Sequence, residues 1–225
     1  MELSKETIGI LSNFSHIQPN IVIQEGNEIM TLAQGRNIVG KAIVKETFPS
    51  QIGIYDLPEF LSAVGLVSEP QIKIEETHVL ISDSTNRVKI KYFMSSPDNL
   101  MYTAKSLSMP ENSEVKFTLD NDTMNKIRKA ASSLGHDKLL ITASGGVINL
   151  IVTDEEDDTS NAFTIDVDGE FEKENFKFIF NIDSLKMLPG DYAVELSSKL
   201  ISQFKKTDED LTYWIALEKQ SKYDN

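Results

Sequence analysis

The sequence predicts an α+β fold made of two copies of one unit, with helices laid on antiparallel sheets. Three observations carry the prediction. The segments IGIYDLPEFL (52–61) and FIFNIDSLKML (178–188) run in the same order: apolar strand, Asp cap, short helix. Each is followed by three strand-like segments, and each half has a further helix that leads into a hairpin. Turn residues such as Glu25-Gly26-Asn27 and Gln34-Gly35-Arg36 cut the rest of the chain into short strands.

In chain order, Ser4 is placed to cap a helix over residues 5–14. Ile8, Leu11 and Phe14 share its apolar face with Ile10 at the edge, and Lys5, Gly9, Ser12 and His16 lie opposite. Strands follow at 21–24, 28–32, 37–44 and 51–55. Asp56-Leu57-Pro58-Glu59 is a capping pattern that opens a helix over 57–66, with Phe60, Leu61 and Val64 apolar. Strands at 71–75, 78–82 and 87–93 complete the first half, and residues 95–110 read as a connector with Pro97 and Pro110.

The second half starts with a strand at 115–119 and a helix at 121–134, capped by Asp120 or Asn121 and ended by Gly135. A hairpin over 138–143 and 146–153 turns at Ser144-Gly145. Strands at 161–167 and 176–182 precede an Asp183-capped helix over 184–188, and strands at 192–197, 200–205 and 212–218 finish the chain. The expected domains are 1–108, including the connector, and 109–225.

The charge is uneven. The 225 residues carry a net charge of -13; residues 1–110 hold 9 Lys and Arg against 12 Asp and Glu, and residues 111–225 hold 13 against 23. Generic adhesion to nucleic acid needs a basic protein, so any such contact has to be local. The helix at 121–134 is the candidate. Met124, Ile127, Ala131 and Leu134 form its apolar face; Asn125, Lys126, Lys129 and Ser132 lie opposite, with Arg128 on the flank. No acid occurs from Thr123 to Gly135, which suits a surface that meets an anion.

Catalytic chemistry finds no footing. His16, His78 and His136 are scattered, and the chain lacks cysteine, a P-loop, G-x-S-x-G and G-x-G-x-x-G. Gly145-Gly146 fits a hairpin turn, and the DEEDD run at 154–158 lacks the spacing of a calcium loop. The absence of cysteine suits a reducing compartment; the start has no signal-peptide pattern, and no apolar run approaches the ~18 residues of a membrane span. The expectation is a soluble intracellular protein without cofactor or metal. Two binding readings remain: a duplicated scaffold whose helices face nucleic acid, or a β-rich structural protein whose basic helix is incidental.

The ordered set MELSKETIGILSNFSHI, IGIYDLPEFLSAVGLV, DKLLI and FKFIFNIDSLKMLPGDY resembles the DNA polymerase sliding clamps of even-T-type tailed bacteriophages, over nearly the whole chain. The resemblance implies duplicated DNA-clamp domains, two helices per domain packed on antiparallel sheets, assembling into a closed ring. Three subunits would encircle double-stranded DNA and tether the phage DNA polymerase. A clamp loader ATPase would place the ring, and late-gene transcription would use it. Carried over by position, the lining helices are 5–14, 57–66, 121–134 and 184–188, and Lys5, Lys126, Arg128, Lys129 and Lys186 face DNA. Phe93, Phe163 and Ile165 fall on edge strands as subunit-interface candidates. Leu100, Met101 and Tyr102 mark a pocket for partner peptides. No catalytic activity and no membrane contact are implied, and the setting is the cytoplasm of the infected host.

Overall fold

A computed structural model describes residues 1–105, 107–111, 113–157 and 159–224. The chain divides into two compact units, Met1–Ser106 and Leu107–Asn225.

The first unit runs α1 (Lys5–Ile17), β1 (Ile21–Ile23), β2 (Gly26–Leu32), β3 (Ile38–Phe48), β4 (Ile52–Ile54), α2 (Leu57–Gly65), β5 (Gln71–Ile74), β6 (His78–Ser82) and β7 (Lys89–Phe93). All its pairings are antiparallel: β1 with β4, β2 with β3, and β6 between β5 and β7. The Ser4 hydroxyl accepts the Thr7 N–H and starts α1 as the sequence indicated. The buried stripe is Thr7, Ile10, Leu11, Phe14 and Ile17, so Ile10 and not Ile8 faces the core. Phe14 packs on β3 at Gly40, where an added Cβ would come within 2.8 Å of the Phe14 ring. Only glycine permits that approach. From the same strand Glu46 accepts a hydrogen bond from Thr7 Oγ1 at 2.5 Å and another from the Ser4 N–H, which ties the start of α1 down. The Asp56 carboxylate caps α2 by accepting the Glu59 N–H at 2.8 Å, and Leu57, Phe60 and Val64 are buried beneath it.

The second unit contains β8 (Val115–Leu119), α3 (Asn121–Leu134), β9 (Lys138–Ser144), β10 (Val147–Thr153), β11 (Phe163–Val167), β12 (Gly169–Phe171), β13 (Phe176–Asn181), β14 (Tyr192–Ser197), β15 (Ile201–Lys206), β16 (Leu211–Ala216) and β17 (Lys222–Tyr223). One antiparallel sheet runs β11-β10-β9-β13-β17, and β12-β8-β14-β15-β16 are neighbours in a second. Asp120 caps α3, and Gly135, at φ 73°, closes it in the left-handed region.

The helix expected at 184–188 is absent. A single 3-10 turn spans Ile182–Ser184, and its cap is Asn181, whose side chain accepts the Asp183 N–H. Leu185 and Met187 are both buried, and residues two apart reach one core only from an extended chain. Among its described residues the second unit therefore has one α-helix and one 3-10 turn where two helices were expected. The short strands β12 and β17 were not foreseen.

Candidate nucleic-acid interface

The polar face of α3 is laid out by its own burial. Thr123, Met124, Ile127, Ala130 and Ala131 are buried, which leaves Asn125, Lys126, Lys129, Ser132 and Ser133 exposed. Lys126 is not wholly available to an external anion. Its Nζ lies 2.6 Å from Asp122, four residues back, and that hydrogen bond and charge raise the Lys126 pKa. Asp122 sits one residue before the acid-free window.

Arg128 behaves differently from its neighbours. It is half-buried, and its guanidinium donates to the carbonyls of Leu185 at 2.9 Å and Met187 at 3.5 Å. Burial lowers its pKa, with Tyr192 acting the other way, and it keeps its charge. The side chain thus fastens α3 to the segment after the 3-10 turn. Lys186, between the two held carbonyls, is exposed. Lys5 is exposed at the start of α1. The outer face of α2 carries Pro58, Glu59, Ser62 and Gly65 and no cation.

The interface candidates do not share a face within their sheets. β7 and β11 each end their sheet among the described residues. Ile90 and Tyr92 of β7 stand opposite the buried Ile81 and Val79, and Tyr92 meets Phe60 of α2 edge-on at 5.2 Å. Phe93 is on the other face, 68% exposed, with His78 and Lys91 beside its ring. Phe163 and Ile165 of β11 stand opposite the buried Val152 and Leu150, on the face that meets α3. Phe163 helps line a groove of about 440 Å³ with Ala162, Ala130, Leu134, Lys126 and Lys129. Sequence reasoning named Phe93 on this strand, and the structure sets Phe93 on the opposite face from Ile90 and Tyr92. The alternation in KIKYF was the signal that separates them.

In the connector, Leu100 is buried and its side chain abuts Gly53 of β4, while Met101 is half-buried and Tyr102 exposed. Leu100 anchors the connector to the first unit. The DEEDD run is satisfied locally: Asp154 accepts the Glu156 N–H, Asp157 accepts Thr159, and Lys177 pairs with Glu155 at 2.8 Å. Asp158 lies outside the described residues. Among the described residues no group of three or more His, Asp or Glu is placed to hold a metal ion, and no helix is long and apolar enough to cross a membrane.

Residues 116–219 match the family model described as gp45 sliding clamp, C terminal. The chain is 27% identical to the sliding clamp of Vibrio phage KVP40, over 97% of this chain and 99% of that one. It is 28% identical to the sliding clamp of Enterobacteria phage T4, over 100% of both. A solved structure of A. fulgidus PCNA, bound to the C-terminal region of FEN-1, matches 96% of this chain and 96% of its own with a TM-score of 0.70 at 13% identity. At that identity the likeness shows the fold.

Proposed function

We infer that this chain, a sliding clamp of the T4-type phage kind by sequence and a DNA clamp by fold, closes as a homotrimeric ring around double-stranded DNA and tethers a phage DNA polymerase. The observation that carries the reading to DNA is the outer face of α3. In a chain of net charge -13, that helix exposes Lys126 and Lys129 among small polar residues. Lys5 and Lys186 are the other DNA-facing cations. Their work is sequence-blind screening of phosphate charge, and the acidic exterior discourages DNA elsewhere. Arg128 acts at one remove, by holding the backbone on either side of Lys186.

So few lining cations make contact weak, and a ring holds DNA by topology instead of affinity. Weak contact is then compatible with retention and favours sliding. The ring closes through the edges of β7 and β11, with Ile90, Tyr92, Phe163 and Ile165 in the seam and Phe93 at its outer margin. Two clamp domains, 1–108 and 109–225, supply the six-domain ring. A clamp loader ATPase opens and places it in the cytoplasm of the infected host, and late-gene transcription draws on the same ring. Partner tails dock near the connector, where Met101 and Tyr102 are the contacts and Leu100 is the anchor, as a partner's C-terminal region docks on A. fulgidus PCNA. The chain contributes no catalytic step.

The test is mass and topology together. Light scattering over a dilution series gives a mass near three times 25.2 kDa, and the protein loaded on circular DNA stays bound at high salt but runs off once the circle is cut. A monomer throughout, or retention indifferent to cutting, overturns the ring and favours assembly by strand edges without encircling DNA.

A further inference from the structure

The sheet β5-β6-β7 has two unlike faces. One packs Ile72, Val79 and Ile81 into the core, with Ile90 opposite Ile81 and Tyr92 opposite Val79. On the outer face the strand pairing sets Lys73, Leu80 and Lys91 in one row, Gln71, Ser82 and Lys89 in the next, and His78 against Phe93. Lys91 Nζ lies 5.7 Å from the centre of the exposed Phe93 ring, and Val88, just before β7, is exposed as well. Four of the nine Lys and Arg of residues 1–110 fall between 73 and 91, and no acid occurs from Ser84 to Pro97. The acids beside the face are engaged elsewhere. Glu75 pairs with Lys73 at 2.6 Å, and the Asp83 carboxylate turns into its own loop, where it accepts the Arg87 N–H at 2.8 Å and the Val88 N–H at 3.1 Å. Arg87, Lys89 and Lys91 are exposed and make no ion pair among the described residues. In a chain of net charge -13 this is a basic, partly apolar face, set apart from the helices that carry the DNA reading.

We propose that this face docks a short extended segment of a partner protein, one that carries acidic and bulky apolar side chains on the same side. Side chains on one face of a strand recur about every 6.8 Å, two residues at ~3.4 Å each. Lys89, Lys91 and Phe93 follow that period along β7, and an extended peptide shares it. Two carboxylates and one ring on one side of the peptide then meet two free ammonium groups and the Phe93 ring. Val88 and the half-buried Leu80 extend the apolar contact. Nucleic acid fits less well. Single-strand binders stack successive bases on several rings, and this face exposes one phenyl ring among the described residues. A long polyanion also runs off the patch at both ends, onto Asp83 past Lys89 and onto Glu75 and Glu76 in the turn whose Thr77 carbonyl accepts the Met94 N–H. β7 has five residues, so a segment of similar length stays clear of those acids. The proposal needs the first unit alone and holds whether or not the ring closes.

The experiment is fluorescence anisotropy of a dye-labelled heptapeptide, DTETFTL, on the full chain, beside its neutral counterpart NTQTFTL and a twelve-nucleotide oligothymidylate. The acidic peptide binds about three- to twenty-fold more tightly than the neutral one, and the gap narrows as salt rises. Lys89→Glu combined with Lys91→Glu weakens the acidic peptide by about ten-fold or more. Phe93→Ala weakens both peptides by about two- to ten-fold. Lys73→Glu, on β5 and away from the open edge, repeats the charge effect at about two-fold. Circular dichroism and light scattering on each variant confirm its fold and its assembly state. Equal affinity for the two peptides, or an acidic peptide indifferent to the Lys89 and Lys91 reversals, overturns the docking face. A loss on Lys129→Glu in their place puts the contact on α3 and overturns it too. Oligothymidylate bound more tightly than the peptide, with the same loss on Phe93→Ala, replaces the partner segment by single-stranded nucleic acid. A chain that binds the acidic peptide as a monomer at every concentration upholds the face and overturns the ring.

Discussion

Arg128→Ala separates two roles that its position on α3 leaves open. The guanidinium makes one good bond, to Leu185 O at 2.9 Å, and one marginal bond, to Met187 O at 3.5 Å. A charge-assisted bond contributes about 1.5–3 kcal/mol, the marginal one adds little, and half-exposure trims the sum; the expected loss is about 2 kcal/mol. The loss is local. Hydrogen exchange read on a peptide spanning 182–190 therefore accelerates by up to about thirty-fold, at 1.4 kcal/mol per factor of ten. The Leu185 and Leu188 amides, which donate to Ile182 O and the Tyr213 hydroxyl, are the reporters. Arg128→Lys keeps the charge but loses the fork, so exchange recovers only in part. Unchanged exchange together with faster loss from DNA circles would refute the reasoning and return Arg128 to the DNA-facing set.

Two further outcomes follow from the packing of α1. Gly40→Ala pushes a methyl into the Phe14 ring at 2.8 Å and costs about 1–3 kcal/mol, read as a lower melting temperature with the rest of the fold unchanged. Burial alone would raise the Glu46 carboxyl, but hydrogen bonds from Thr7 and Ser4 outweigh it and hold the pKa below 4.5. A depressed folded pKa stabilises above the unfolded value and is lost as pH falls through the folded one. Wild type therefore loses stability more steeply than Glu46→Gln below pH 4.5, and the two denaturation curves converge in acid.

Most of the architecture was legible because local signals agreed with the packing. Asp56 and Asp120 are caps in the sequence and in the structure, and Gly135 ends α3 where a left-handed residue is needed. The misreadings arise where a tertiary neighbour outweighs the local pattern. Asp183 followed by an apolar segment reads as a capped helix, yet Leu185 and Met187 are both drawn into the core and the turn stops after Ser184. Helical angles put Arg128 on a flank, but its destination is a carbonyl 57 residues away, which no angle reveals. Asp122 was within reach of the sequence, since a carboxylate four residues before Lys126 is an expected pair. On β7 the alternation was readable too, and it puts Phe93 on the opposite face from Ile90 and Tyr92.

The lysines of β7 also bear on how the chain survives while that edge is uncovered. A strand at the end of a sheet offers a row of unsatisfied N–H and C=O groups, which is a template for any passing strand and a start for fibrils. β7 is five residues long and has Lys89 and Lys91 on its exposed face, with Tyr92 and Ile90 turned inward against α2 and β6. Two cations on so short a strand repel a second copy of the same edge and flank Phe93, the exposed ring on that face. While the edge is open, charge guards it against pairing with a like edge.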